Sequence, residues 1–180
     1  TATIGIAQQE GFLNINDKVS DYLGTGWTSA PLAKENLITN KHLLSMTSGL
    51  NDALGNGNSP AELQYLADAG TRWAYHNVFE KLQDVIAEAT DQTFDAYFTA
   101  KLKSKIGMTG AWIASDDFNV YWSTTRSTAR FGLLSLNKGK WENEIIIPEA
   151  FMTEAISPSQ NINNAYGYLW WLNGKANYRL

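Results

Sequence analysis

The sequence predicts an α+β fold that is mainly helical, with an antiparallel sheet starting towards its C-terminal end. Three observations predict it. Apolar residues recur at helical spacing in Phe79, Leu82, Ile86 and Ala89, in Phe94, Phe98, Leu102 and Ile106, and in Ala129, Leu133 and Leu136. Later stretches change character: Trp141 with Ile145 to Ile147 reads as a β-hairpin, and the aromatic run Tyr166 to Leu172 reads as a strand closed by the turn signal Asn173-Gly174. Only Lys175 to Leu180 remain for its partner strand. Finally, 44% hydrophobic and 12% aromatic content over 180 residues suits one globular domain with a sizeable core. The expected organisation is a single partial domain over 1–180, mostly helical over about 12–160, with the sheet beginning at about 141–180.

In chain order, Thr1 to Glu10 reads as the later part of a helix that ends at a C-cap glycine, Gly11. It carries no initiator Met, cap or signal peptide, so the chain is expected to start inside an element, with targeting information upstream. Phe12, Leu13 and Ile15 form a short extended piece, Asp17 caps a small helix carrying Val19, Tyr22 and Leu23, and Gly24, Gly26 and Pro31 mark a loop. Thr39 caps a helix with Leu43, Leu44 and Met46 that stops near Ser48-Gly49. After a polar loop, Asn51 to Asn58, the stretch Ser59-Pro60-Ala61-Glu62 opens a helix with a cap, a first-position proline and a capping glutamate. Gly70, Trp73 and Tyr75 make an extended approach to the next helix, which Asn77 caps, with Glu80 completing a capping box, and which runs to about Thr90. Gly107 ends the helix of Phe94 to Ile106, and a loop containing Ser115-Asp116-Asp117 leads to a helix over Ser123 to Asn137, stopped at Gly139. Pro148 opens a last helix to about Ile156.

Several classes of function are excluded by composition. A net charge of −4 without a basic patch argues against nucleic acid, and Lys101, Lys103 and Lys105 read as a solvated helix face. No run of eighteen apolar residues spans a membrane in this segment. The absence of cysteine removes disulfides and thiol catalysis, and two histidines without a clustered His/Asp/Glu spacing give no metal site; no cofactor is expected.

The chemistry-bearing candidate is Tyr75-His76-Asn77, a phenol and an amide presented by a loop at a helix start. A tyrosine acts as a general base only where cationic neighbours lower its pKa, and the amide two residues on can hold a substrate carbonyl. The same residues also have a purely structural reading as a capped helix start. Ser45, Thr47 and Ser48 read as hydroxyls of a helix end, since no Gly-x-Ser-x-Gly elbow is present, and His42 as a packed or surface histidine. The aromatic stripe of Phe94 and Phe98 reads as core, and Trp73, Trp170 and Trp171 as either core or the lining of an apolar pocket.

The order of several elements resembles a known family. Gly11-Phe12-Leu13 leading to Asp17-Lys18-Val19-Ser20-Asp21-Tyr22-Leu23, then Leu43-Leu44-Ser45-Met46-Thr47-Ser48-Gly49-Leu50, Tyr75-His76-Asn77, Ile106-Gly107-Met108-Thr109, Ala129-Arg130-Phe131-Gly132 and Tyr166-Gly167-Tyr168-Leu169-Trp170-Trp171 look like the serine hydrolases related to class C β-lactamases. That family includes penicillin-binding peptidases, esterases and amide hydrolases of the 6-aminohexanoate-dimer hydrolase type. The resemblance implies a β-lactamase/transpeptidase-like fold and a bacterial periplasmic or secreted location. It also implies a Ser-x-x-Lys nucleophile, a Tyr-x-Asn motif and a third motif of the Lys-Thr-Gly or His-x-Gly kind. Only the second is visible, with Tyr75 as the catalytic tyrosine and Asn77 and Trp170 as substrate contacts. The nucleophile is expected upstream of Thr1 and the third motif beyond Leu180, so the segment alone is expected to be inactive and to need the missing parts of its own domain. The literal Ser135-Leu136-Asn137-Lys138 ends a helix instead of starting one, and about one such match is expected by chance. An intact protein of this kind acts on a small-molecule ester, amide or β-lactam through an acyl-enzyme. Two other readings stay open: a catalytically silent binding or sensing relative, and a free-standing helical interaction domain.

Overall fold

In the computed structural model, which describes residues 1–115 and 118–174, the chain is built around helix α1 (Ala2–Gln9). Ala2 through Ala7 are all buried, as expected of a helix that is apolar or small on every side. Gly5 permits a close approach of Phe151, because a Cβ there would lie 2.3 Å from its ring. The helix ends in a Schellman motif: the amides of Gly11 and Phe12 donate to the carbonyls of Gln8 and Ala7, with Gly11 at φ +79°.

Around it lie α2 (Ser20–Leu23), α3 (Leu32–Glu35), α4 (Asn40–Leu44), α5 (Lys81–Thr90), α6 (Phe94–Phe98), α7 (Thr125–Leu136) and α8 (Glu149–Ala155). A π-helical turn at Thr99–Lys103 continues α6. Leu43, Leu44, Val85, Ile86, Leu134, Ile147 and Phe151 close over Ile4 and Ile6 in one core. Two antiparallel hairpins supply the strands: β1 (Gly110–Ser115) with β2 (Phe118–Ser123), and β3 (Lys140–Trp141) with β4 (Glu144–Ile145). Among the described residues no helix is long and apolar enough to cross a membrane.

Thr39 caps α4 as its sequence signal predicts, and the reciprocal partner is His42, whose Nδ1 accepts from the Thr39 amide at 3.1 Å. Other local expectations are corrected. Asp17 does not cap α2; its carboxylate accepts from the Asn14 amide and the Tyr22 hydroxyl. The Glu62 carboxylate accepts from both the Ser59 amide and the Ser59 hydroxyl, one half of a capping box, but only a single turn follows, because buried Leu63 leads straight into the Leu50–Tyr65 bridge.

The region expected to be a loop around Ser115 is the β1–β2 hairpin. Its period-2 signal is hidden because both faces are apolar: Trp112 and Tyr121 pack inward on Phe94 and Phe98, while Ile113, Val120 and Trp122 face outward. Conversely, the run Tyr166 to Leu172 is not a strand. It doubles back through one Tyr166–Trp171 bridge with Leu169 at φ +60°, and the amides of Tyr168 and Leu169 donate to the carbonyls of Ala155 and Leu44 at the ends of α8 and α4. The partner strand expected over Lys175 to Leu180 lies outside the described residues.

Candidate active site

The site grows from the loop that leaves α4. Met46 sits at φ +59° and Gly49 at +78°, and this buried turn directs two carbonyls at the following chain: Met46 accepts from the Ala74 amide at 3.0 Å and Thr47 from the Gly70 amide at 2.8 Å. The segment 71–76 is thereby drawn out beside the loop. Alternation along an extended chain then puts Trp73 and Tyr75 on one face. Both meet Tyr166 and Trp171 there. The Tyr75 ring stacks on Trp171 with centroids 5.6 Å apart and planes 17° apart, and stands edge-on to Tyr166 at 6.3 Å. Trp73 packs edge-on against the same two rings at 5.5 and 5.7 Å.

Within this cluster the two tyrosines differ. Tyr75 is 49% exposed at the rim, whereas Tyr166 is buried beneath it. Burial, and secondarily the neighbouring Tyr75, raise the Tyr166 phenol well above the ordinary tyrosine range, so it keeps its proton. His76 is 3% exposed on the opposite face, and burial holds its imidazole below the usual value against the opposing pull of Asp52 and the Gly55 backbone.

Asn77 does not cap the helix. It begins a 3-10 turn, Asn77–Glu80, that precedes α5; His76 occupies the cap position without a side-chain cap bond, and Asn77 Nδ2 donates to the Asn56 carbonyl at 3.2 Å. Glu80 therefore completes no capping box. Its carboxylate accepts from Gln83 Nε2 at 2.7 Å, and burial pushes its pKa up to about 7. A folded-state pKa above the unfolded value means that folding binds a proton, so this group's penalty grows as pH rises from about 4.5 to 7. Glu80→Gln should accordingly unfold at a higher temperature than the parent at pH 8 and at nearly the same temperature at pH 4.5. Calorimetry at the two pH values checks this, and an equal shift at both would contradict it.

Trp170, the other predicted substrate contact, lies apart from Tyr75. It stacks on Phe131 at 6.1 Å and, with Leu169, Thr1, Phe94, Phe98 and Trp112, lines an apolar cleft of about 470 Å³. The next residue, Trp171, is the one that touches Tyr75. Sequence reasoning grouped the two tryptophans, but as neighbours in the chain they reach different partners, Phe131 and Tyr75. Tyr166 joins the site only because the chain doubles back through the Tyr166–Trp171 bridge, a contact that the run's strand-like composition conceals.

The remaining serine candidates are engaged elsewhere. Ser45 Oγ is buried, 2.8 Å from the Lys41 carbonyl and 2.7 Å from Thr47 Oγ1. Ser135 Oγ donates to the Phe131 carbonyl within α7, and Lys138 pairs with Glu149 at 2.8 Å, so these two residues form no dyad. Among the described residues no group of three or more His, Asp or Glu side chains is arranged to hold a metal ion.

A mainly helical domain with small antiparallel hairpins and a rim tyrosine ahead of a helix defines an α+β scaffold. The chain belongs to the beta-lactamase family, whose model matches residues 1–178. No curated protein matches it in sequence. Among solved structures it is similar to a candidate beta-lactamase of Bacteroides dorei DSM 17855, at 17% identity and TM-score 0.75, over 93% of this chain and 61% of that one. It is also similar to a candidate 6-aminohexanoate-dimer hydrolase of Bacillus anthracis, at 16% identity and TM-score 0.74, over 97% and 58% of the two chains. A penicillin-binding protein of Bacillus halodurans matches at 16% identity and TM-score 0.70, over 93% and 63%. The chain thus spans about three-fifths of the length of these relatives. The fold is that of β-lactamases and transpeptidases.

Proposed function

We propose that this chain is the tyrosine-bearing part of a serine hydrolase that cleaves an ester, amide or β-lactam bond in a small molecule through an acyl-enzyme. The observation that supports this most is the placement of Tyr75: in a chain of this family, it is the half-exposed phenol at the rim of an aromatic cluster, above the buried Tyr166. In this reading a serine of a Ser-x-x-Lys motif ahead of α1 attacks the acyl carbon. Its proton passes to the lysine and Tyr75 pair and then to the leaving group, and water releases the acyl group. Asn77 orients the substrate carbonyl, which requires the Asn56 end of its loop to shift, because Asn77 is 2% exposed. Trp170 supplies an apolar wall on the cleft side. The oxyanion hole belongs to backbone amides of the serine and of a sheet strand outside the described residues.

A serine-directed fluorophosphonate tests the reading. A protein extended at both ends should take up one equivalent, mapped to a serine just ahead of α1, while the 180-residue chain stays unlabelled. An adduct on Ser45 or Ser135 would overturn the motif assignment.

A further inference from the structure

We infer that the loop 51–58, through the Asp52–Arg72 ion pair, is the positioning element for Tyr75; the inference rests on the function proposed above. The segment 71–77 needs such an element because it is extended yet belongs to no sheet. The Ala74 amide donates to the Met46 carbonyl, the backbone hydrogen bond that ties this segment to the loop after α4. Aromatic rings hold its front, through Trp73 and Tyr75. Its back carries Arg72 and His76, and both face the loop. Arg72 Nη2 lies 2.6 Å from Asp52 Oδ1, the imidazole of His76 feels Asp52 and the Gly55 backbone, and Asn77 Nδ2 donates to the Asn56 carbonyl.

The loop has a defined shape with which to do this. Its base is tied by the Asn51 amide to the Gln64 carbonyl at 2.8 Å and by the Leu50–Tyr65 bridge. Asn51 Oδ1 accepts from the Ala53 amide, which sets the 3-10 turn Asp52–Leu54 that presents Asp52. Gly55 turns the chain at φ +103°, and Gly57 fits because the Glu62 carboxylate, itself held by Ser59, occupies the space a Cβ would need. An ion pair about one-third exposed contributes little to global stability, so its value here lies in geometry. Asp52 and Arg72 are positioning residues; neither touches substrate in this arrangement.

The test is amide hydrogen exchange on Asp52→Asn, Arg72→Gln and the charge-swapped pair Asp52→Arg with Arg72→Asp. Each single variant should speed exchange at residues 74–79 about tenfold, a local opening, while α1 and α5 beyond Leu82 keep their protection. The swapped pair should recover at least half of that change. This readout requires no catalysis, so it stands or falls independently of the hydrolase reading. In a protein that turns over an acyl substrate, the singles should lower kcat with KM within about twofold, the signature of a misplaced catalytic group. Unchanged exchange at 74–79 in both singles, a rise spread evenly over α1 and α5, or no recovery in the swap each overturns the inference.

Discussion

Tyr75→Phe is expected to lower acyl transfer by roughly a hundredfold to ten-thousandfold, the usual contribution of a positioned acid or base. The fold should hardly register the change. Phenylalanine keeps the ring that stacks on Trp171 and stands against Tyr166, and the hydroxyl removed sits at an exposed rim. Tyr166→Phe is the matched control, since the Tyr166 phenol lies in the same cluster but is held protonated by burial. It should leave turnover within a few-fold. The measurement is kcat/KM with an activated ester in a protein that carries the nucleophile, alongside the thermal midpoint of each variant. Equal activity in the parent and Tyr75→Phe, or a larger loss in Tyr166→Phe, would transfer the proton-handling role away from Tyr75.

Much of this site is legible in the sequence because it depends on local order. Tyr75 falls on the exposed side of an extended approach to a helix, and alternation from Trp73 is enough to predict that the two share a face. What is not legible depends on partners distant in the chain. Asn77 has the residue type of a cap and Glu80 the spacing of a capping box, yet the 3-10 turn takes the place of the first helical turn and the Asn77 amide finds the carbonyl of Asn56 instead. The same limit explains the aromatic run near the C-terminus. Its composition is that of a strand, but the carbonyls that close α4 and α8 claim the amides of Leu169 and Tyr168, and the chain folds back on itself. The hairpin over 110–123 escapes detection for the opposite reason, since apolar residues on both faces leave no alternation to read. A helix with a single buried stripe, such as α5, carries its signal in its own residues, and Leu82 and Ile86 are buried as predicted. Helix α7 lies within a few positions of its predicted bounds, but the predicted apolar face of Ala129, Leu133 and Leu136 is exposed, and Ser127, Leu134 and Ser135 are the buried residues.

The largest stability effect should come from Gly49→Ala, a change of one methyl group in the loop that sets the site. Two costs act together there. An alanine at φ +78° costs about 1–2 kcal/mol in backbone strain. Its Cβ would also fall 2.1 Å from the Ala67 carbonyl oxygen, an atom of the main chain that no side-chain rotation can move aside, which adds about 1–3 kcal/mol of overpacking. For a domain of this length the sum corresponds to a fall in melting temperature of about 5–15 °C. Gly11→Ala isolates the first cost, because Gly11 has nearly the same φ, +79°, and nothing within 4 Å of where its Cβ would lie. The clash at Gly49 cannot be relieved without consequence. The Gly49 carbonyl accepts from the amides of Leu66 and Ala67, so moving 66–67 breaks those bonds, and moving 46–49 carries away the Met46 carbonyl that holds Ala74 beside Tyr75. Gly49→Ala should therefore lower both the melting temperature and the acyl-transfer rate, whereas Gly11→Ala lowers only the first, and by less. If the two variants melt at the same temperature, the close approach of Ala67 to Gly49 does not exist in solution, and the loop loses its role in placing the tyrosine.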